Sequence, residues 1–97
     1  MFEIIISDRA REKLEALKAD TSQRKRYKAV VKTLQYLATD PRHPSLQTHP
    51  YESLEKLMGQ NVFEAYAEQK TPAAYRVFWC YGPSNDQITV IAITPHP

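Results

Sequence analysis

The sequence predicts an α+β domain in which a helical hairpin packs on a mostly antiparallel sheet of four strands. Two observations lead to this prediction. Between residues 8 and 39 the hydrophobic side chains recur at helical spacing, which is typical of amphipathic helices. From residue 61 onward they alternate with a period of two, which is typical of strands that bury one face. A β-branched segment precedes the helices, so the predicted order is β-α-α-β-β-β.

The first strand and the first helix follow directly from the start of the chain. FEIII (2–6) is rich in isoleucine and predicts a strand. Ser7 is suited to cap the next helix, because its hydroxyl can accept a hydrogen bond from a free backbone N–H. Ala10, Leu14 and Leu17 then recur at helical spacing and give this helix a narrow apolar stripe.

The second helix has the clearest amphipathic pattern. We expect Thr21 or Ser22 to cap it. Its apolar side chains fall within one arc: Tyr27, Val30, Val31, Leu34, Leu37 and Ala38. Its basic side chains lie on nearly the opposite face: Arg24, Lys25, Lys28 and Lys32. This basic face is either an ordinary solvated surface or a binding surface for an anionic partner such as ribosomal RNA.

Asp40-Pro41 ends the second helix, because the residue before a proline is disfavoured in helical geometry. Residues 40–50 contain three prolines and predict an irregular loop, and Ser53 to Met58 predict one helical turn that ends at Gly59. The remaining strands are predicted at residues 61–67, 73–81 and 87–94.

Composition excludes several classes of protein. Ninety-seven residues predict one domain over 1–97, and the formal charge of +2 is weak evidence for a nucleic-acid partner. The two glycines, Gly59 and Gly82, cannot form a glycine-rich phosphate loop. Cys80 is the only cysteine, which predicts a reducing, cytoplasmic location. We expect neither a signal peptide nor a membrane partner, because no apolar run is long enough.

Arg76 is the most unusual residue of the predicted strands, because it lies between large apolar side chains. A guanidinium at that position needs a partner or a solvent-filled cleft. Two interpretations remain open: an ion pair across the sheet, with Glu64 on the preceding strand as the partner, or a fork of donors that binds a phosphate.

Each of the three histidines is followed by a proline: His43, His49 and His96. His96 directly follows the last predicted strand, where it could transfer a proton at neutral pH or belong to a frayed tail. His43 and His49 lie in the proline-rich loop. Their spacing matches no recognised set of metal ligands, so we expect no metal site and no cofactor.

The element order, with AYRVFWCY followed by QITVIAITPHP, resembles the RelE/ParE superfamily of toxins from type II toxin–antitoxin systems. The resemblance covers nearly the whole chain. It is most specific in DPRHPSL after the second helix, in the arginine of YRVFW, and in the histidine directly after the last strand. It departs from some nucleases of the superfamily at Pro97, where they have an aromatic residue.

The resemblance implies a cognate antitoxin as partner and, in one branch, metal-independent cleavage of messenger RNA on the ribosome. Arg76 would then stabilise the phosphate, His96 would be an acid or base, and the basic face would contact ribosomal RNA. Neither Glu64 nor Glu68 stands at the spacing from Arg76 expected for a glutamate base, and His49 is an alternative proton acceptor. The other branch implies a non-catalytic binding protein, either an inhibitor of DNA gyrase or an inactive relative that binds only its antitoxin.

Overall fold

The computed structural model describes residues 1–96. Its strands are β1 (Glu3–Ile6), β2 (His49–Pro50), β3 (Phe63–Tyr66), β4 (Tyr75–Tyr81) and β5 (Gln87–Pro95). Its α-helices are α1 (Asp8–Ala19), α2 (Arg24–Thr39) and α3 (Glu52–Met58), and single 3₁₀ turns occur at Thr21–Gln23 and Pro44–Leu46. None of these helices is long and apolar enough to cross a membrane.

The strands form one sheet in the order β1-β5-β4-β3-β2. β1 runs parallel to β5, and every other neighbouring pair is antiparallel. The prediction of an α+β domain with a mostly antiparallel sheet is therefore confirmed. The predicted number of strands was one too low, because His49 and Pro50 form a short edge strand where an irregular loop was expected. Proline is tolerated on an edge strand, since its missing N–H breaks no ladder bond there.

The helix boundaries agree with the predicted caps in one case and not in the other. The side chain of Ser7 accepts a hydrogen bond from the first turn of α1, as predicted. The cap of α2 is Gln23, whose side chain makes no capping bond, so the prediction of Thr21 or Ser22 was wrong. These two residues form a 3₁₀ turn instead, in which the Asp20 side chain accepts from Ser22. The Ser22 hydroxyl and N–H together lower the pKa of the Asp20 carboxyl.

The core lies between the helical hairpin and one face of the sheet. The helices contribute Ala10, Leu17, Val30 and Leu37, as the apolar stripes predicted. The central strands contribute Phe63, Ala65, Val77, Trp79 and Ile93. Cys80 of β4 is also buried, and burial raises the pKa of its thiol, so it packs as a small hydrophobic residue.

The opposite face of the sheet carries a different set of side chains. Glu64 of β3 pairs with Phe78 of β4, and Tyr66 pairs with Arg76. Paired residues on neighbouring strands point to the same side of a sheet, so these four side chains share one face. Because their neighbours in sequence belong to the core, this is the face that the helical hairpin leaves open.

A β-bulge in β5 changes the direction of the residues that follow it. Trp79 pairs with Val90, whereas the preceding residue, Phe78, pairs with Ala92, so Ile91 has no partner. One extra residue reverses the alternation of side chains between the two faces. The end of β5 therefore presents its even-numbered residues to the open face.

The core predicts a contrast between two leucines. Leu37 is fully buried between α2 and the sheet, whereas Leu57 of α3 is 79% exposed. We expect Leu37→Ala to lower the free energy of unfolding by about 2–5 kcal/mol, through lost burial and the cavity that remains. Leu57→Ala should change it by less than about 0.5 kcal/mol. Urea unfolding followed by circular dichroism measures both, and equal losses would contradict this account of the core.

Candidate active site

The carboxylate of Glu64 lies at the centre of a cluster on the open face of the sheet. Its residue is 1% exposed. His49 Nε2 lies 2.7 Å from Oε1, and His96 Nδ1 lies 3.1 Å from Oε2. Arg76 Nε lies 3.5 Å from Oε2. One buried carboxylate is therefore shared by two imidazoles and a guanidinium.

Strand register brings these residues together from distant parts of the sequence. His49 of β2 pairs directly with Glu64 of β3. Arg76 comes from β4 on the other side of β3. His96 follows β5, and its backbone N–H donates to Ala74 O at 2.8 Å, which continues the ladder between β4 and β5 by one more bond. His96 is thus anchored to the sheet, although its side chain remains about half exposed.

The ring of His49 lies between two oxygen atoms of the protein. Nδ1 faces Gln47 O at 2.8 Å, and Nε2 faces the Glu64 carboxylate. Both partners are acceptors in their usual states, whereas a neutral imidazole has only one N–H. A neutral ring can therefore donate to only one of these partners, whereas an imidazolium can donate to both. Both ring nitrogens of His49 thus face protein oxygens, although 41% of its side chain is exposed.

His96 is engaged on one side only. Its Nδ1 donates to Glu64, which fixes the tautomer and directs the Nε2 lone pair of the neutral ring away from the carboxylate. This is the arrangement that a carboxylate imposes on a histidine that acts as a base. Among the groups of the cluster, Nε2 of His96 is therefore the one that is both accessible and ready to accept a proton.

Arg76 is held by the protein over most of its length. Nη1 donates to the backbone carbonyls of Glu68 and Tyr75, and the guanidinium stacks on Tyr66 with Cζ 3.7 Å from the ring centre. Nε is close enough to Glu64 for an ion pair but makes no hydrogen bond within residues 1–96.

The structure thus places Glu64, Arg76, His49 and His96, four residues named from the sequence, in one cluster. It places two further residues elsewhere. Glu68 binds the Arg26 side chain at 2.8 Å and the Tyr75 N–H at 3.0 Å, which is a structural bracket between α2 and the sheet. His43 stacks on Tyr36 at 4.1 Å, away from the Glu64 carboxylate.

Two contacts, one in the cluster and one outside it, were not predicted from the sequence. The pairing of His49 with Glu64 depends on β2, and a strand of two residues is too short to show a period. The ion pair of Arg26 with Glu68 joins residues far apart in sequence, and no local pattern indicates such a contact. In contrast, an ion pair of Arg76 with Glu64 was one of the two interpretations of Arg76 from the sequence. In the structure Arg76 Nε lies 3.5 Å from Glu64 Oε2.

The basic residues of α2 form an exposed surface on the helical hairpin. All four side chains are exposed, as their position opposite the apolar arc predicts: Arg24, Lys25, Lys28 and Lys32.

Within residues 1–96 no group of three His, Cys, Asp or Glu side chains has the arrangement needed to hold a metal ion.

Comparison of the folds gives matches over nearly the whole chain. The YoeB/ParE toxin from Agrobacterium tumefaciens superposes with a TM-score of 0.74 at 9% identity, covering 99% of this chain and all of that one. YoeB from Staphylococcus aureus, solved as a dimer, gives a TM-score of 0.67 at 13% identity. This match covers 99% of this chain and 98% of that one. The archaeal RelE–RelB complex from Pyrococcus horikoshii gives a TM-score of 0.66 at 13% sequence identity. This match covers 97% of this chain and 93% of that one.

The chain has the RelE/ParE toxin fold. The resemblance seen in the sequence is therefore confirmed at the level of the fold. No family model matches the sequence, and no curated protein does either. Because the identities to the structural relatives are so low, the roles of individual residues in this RelE/ParE-like chain have to be argued from its own geometry.

The shared carboxylate predicts strong coupling between Glu64 and Arg76. We expect Glu64→Ala to lower the free energy of unfolding by about 3–5 kcal/mol, because it leaves a buried guanidinium without a counter-charge. Glu64→Gln, which keeps the volume and one hydrogen-bond acceptor, should cost less. Urea unfolding of both variants, of Arg76→Ala and of Glu64→Ala/Arg76→Ala completes a double-mutant cycle. Additive losses in the double variant would show that the two residues are not coupled.

Proposed function

We propose that this chain is the toxin of a type II toxin–antitoxin system and that it cleaves messenger RNA on the ribosome without a metal ion. The observation that carries the proposal is the His96–Glu64 pair, in which a buried carboxylate orients an accessible imidazole next to a buried arginine. The RelE/ParE fold supports the assignment to toxins. The reaction would take place in the cytoplasm, where translation occurs.

In this mechanism His96 is the general base. Its Nε2 accepts the proton of a ribose 2′-hydroxyl while the 2′-oxygen forms a bond to the adjacent phosphorus. Glu64 does not touch the substrate, since it is sealed from solvent and both of its oxygens face positively polarised groups. It positions the ring and stabilises the imidazolium that forms, as the buried carboxylate does in a catalytic triad.

The remaining steps need positive charge and an acid. Arg76 would provide positive charge for the phosphate oxygens, on which negative charge grows in the pentacovalent transition state. His49 is the second imidazole on Glu64, its side chain is 41% exposed, and as an imidazolium it would carry a proton to give. We assign His49 as the group that gives this proton to the leaving 5′-oxygen when the P–O5′ bond breaks. The products are a 2′,3′-cyclic phosphate and a free 5′-hydroxyl.

Binding of the RNA follows from the basic face of α2. Its four exposed side chains can neutralise phosphates of ribosomal RNA. This electrostatic part of the binding affinity falls as the salt concentration rises. The same face suits an acidic antitoxin, which would lay a helix or strand over the toxin surface. The neighbours of this fold include the RelE–RelB complex and the YoeB–YefM complex, which supports a protein partner for this chain as well.

Ribosome-dependent cleavage is tested in a cell-free translation reaction on a defined messenger, with cut sites mapped by primer extension. We expect His96→Ala to reduce the cleavage rate by about 10²–10⁴-fold, the usual contribution of a general acid or base. Arg76→Ala should also abolish cleavage, and its folding must be verified because the residue is buried. His43→Ala is the matched control, since that imidazole lies outside the cluster.

Two results would contradict the nuclease. Cleavage by His96→Ala at the wild-type rate would remove the proposed base. A messenger that stays intact with the wild-type chain would leave the non-catalytic alternative, and supercoiling by DNA gyrase with and without the chain then decides whether gyrase is the target.

The roles of the two histidines are separated by a substrate in which sulfur replaces the bridging 5′-oxygen. A thiolate leaves without being protonated, so loss of a general acid no longer slows the reaction. We expect this substrate to restore the rate of His49→Ala to near wild type and to leave His96→Ala slow. The opposite pattern in single-turnover cleavage would make His96 the acid and exclude the base role given to it here.

A further inference from the structure

A cavity of about 270 Å³ lies at the edge of the sheet, between α2 and the 3₁₀ turn at Pro44–Leu46. Its apolar lining includes Leu46 and Ala67. Its polar lining includes Lys32, Ser45 and Gln69. Pockets for drug-sized ligands are typically about 300–1,000 Å³, so this one suits a single small planar group.

Tyr66 connects this cavity to the Glu64 cluster. It is part of the cavity lining, and its ring also stacks on the Arg76 guanidinium and meets His49 edge-on at 5.6 Å. The ladder between β2 and β3 starts at His49, which pairs with Glu64, so Tyr66 has no β2 partner at this edge of the sheet. Tyr66 thus contacts both the Arg76 guanidinium, where we place the phosphate, and the cavity.

The chemistry of the lining fits a nucleobase. Apolar side chains accept the flat face of a base, and a glutamine amide can donate to and accept from its edge. The Gln69 amide now donates to Ser45 O at 3.4 Å, longer than a typical N–H···O bond, so a base edge can replace this contact at small cost. Lys32, exposed at the margin of the cavity, supplies a cation for the phosphate of the same nucleotide.

We propose that this cavity is a subsite for one nucleobase of single-stranded RNA, adjacent to the phosphate that is cleaved. The inference rests on the proposed nuclease function, because that proposal places the cleaved phosphate at Arg76 and His96. It assigns to Gln69 the contact with the base edge and to Lys32 the contact with the phosphate. Lys32 thereby has a role in addition to its place on the basic face of α2, because the other basic residues of that face do not line the cavity.

The test uses an all-deoxy trinucleotide, which lacks the attacking 2′-hydroxyl and therefore reports binding without cleavage. Its binding to the full chain is followed by ¹H–¹⁵N NMR, with Leu46, Ala67 and Gln69 amides as reporters of the cavity. We expect these amides to shift, and Gln69→Ala and Lys32→Ala each to weaken binding by about three- to tenfold, the effect of losing one hydrogen bond or one charged contact. Lys18→Ala, the same change of charge on an exposed position of α1, is the control and should bind as wild type.

A second variant tests the space itself. Ala29→Leu places a larger side chain into the cavity from α2, a position that is helical and only half-buried, so folding should survive. We expect it to exclude the base and weaken binding at least as much as Gln69→Ala.

Shifts confined to the Glu64 cluster, or unchanged affinity in Gln69→Ala and Ala29→Leu, would overturn the subsite. The result is independent of the proposed cleavage. A chain that binds the trinucleotide in the cavity but never cuts a messenger keeps the subsite and loses the nuclease. A chain that cuts normally after Ala29→Leu and Gln69→Ala keeps the nuclease and loses the subsite.

Discussion

A carboxylate buried in the middle of a sheet must be matched by positive charge, and the open face of this molecule is organised by that requirement. Glu64 is almost completely sealed from solvent, where an isolated carboxylate would cost several kcal/mol. Arg76 provides the permanent counter-charge, and the two histidines provide donors for the remaining lone pairs. Because these partners come from β2, β4 and the end of β5, the electrostatic requirement also holds the sheet in one register.

Exposure then decides which member of the cluster can meet a substrate. The carboxylate that would be the simplest base is the least accessible group, whereas about half of the His96 side chain is exposed and its Nδ1 is already fixed. Glu64 therefore contributes to stability and to the orientation of a reacting group at the same time. Removing it affects both, so activity measurements on Glu64 variants have meaning only beside measurements of folding. Because His96 lies at the surface, replacing it changes the proposed catalytic group without removing a buried charge, so activity and folding can be measured separately.

Much of this arrangement could be predicted from the sequence, and the remainder has identifiable reasons. Periodicity was sufficient for α1, α2 and β3 to β5, because each is long enough to show a period. The ion pair of Arg76 with Glu64 was open to prediction, since a guanidinium among apolar strand residues needs a partner on a neighbouring strand. The edge strand at His49 was missed because two residues have no period, and the cap of α2 was wrong because Asp20 captures Ser22 in a local turn.

The position of His96 depends on a feature that no sequence pattern indicated. Val90 points into the core, and strict alternation would send His96 to that same face, away from Glu64. The bulge at Ile91 adds one residue and reverses this direction. Ser7 stabilises the bulge from β1, since its N–H donates to Val90 O and its hydroxyl donates to Ile91 O at 3.2 Å. Ser7, the residue that caps α1, thus also helps to direct His96 towards Glu64. The start of the fold is in this way linked to the chemistry proposed for the open face of the sheet.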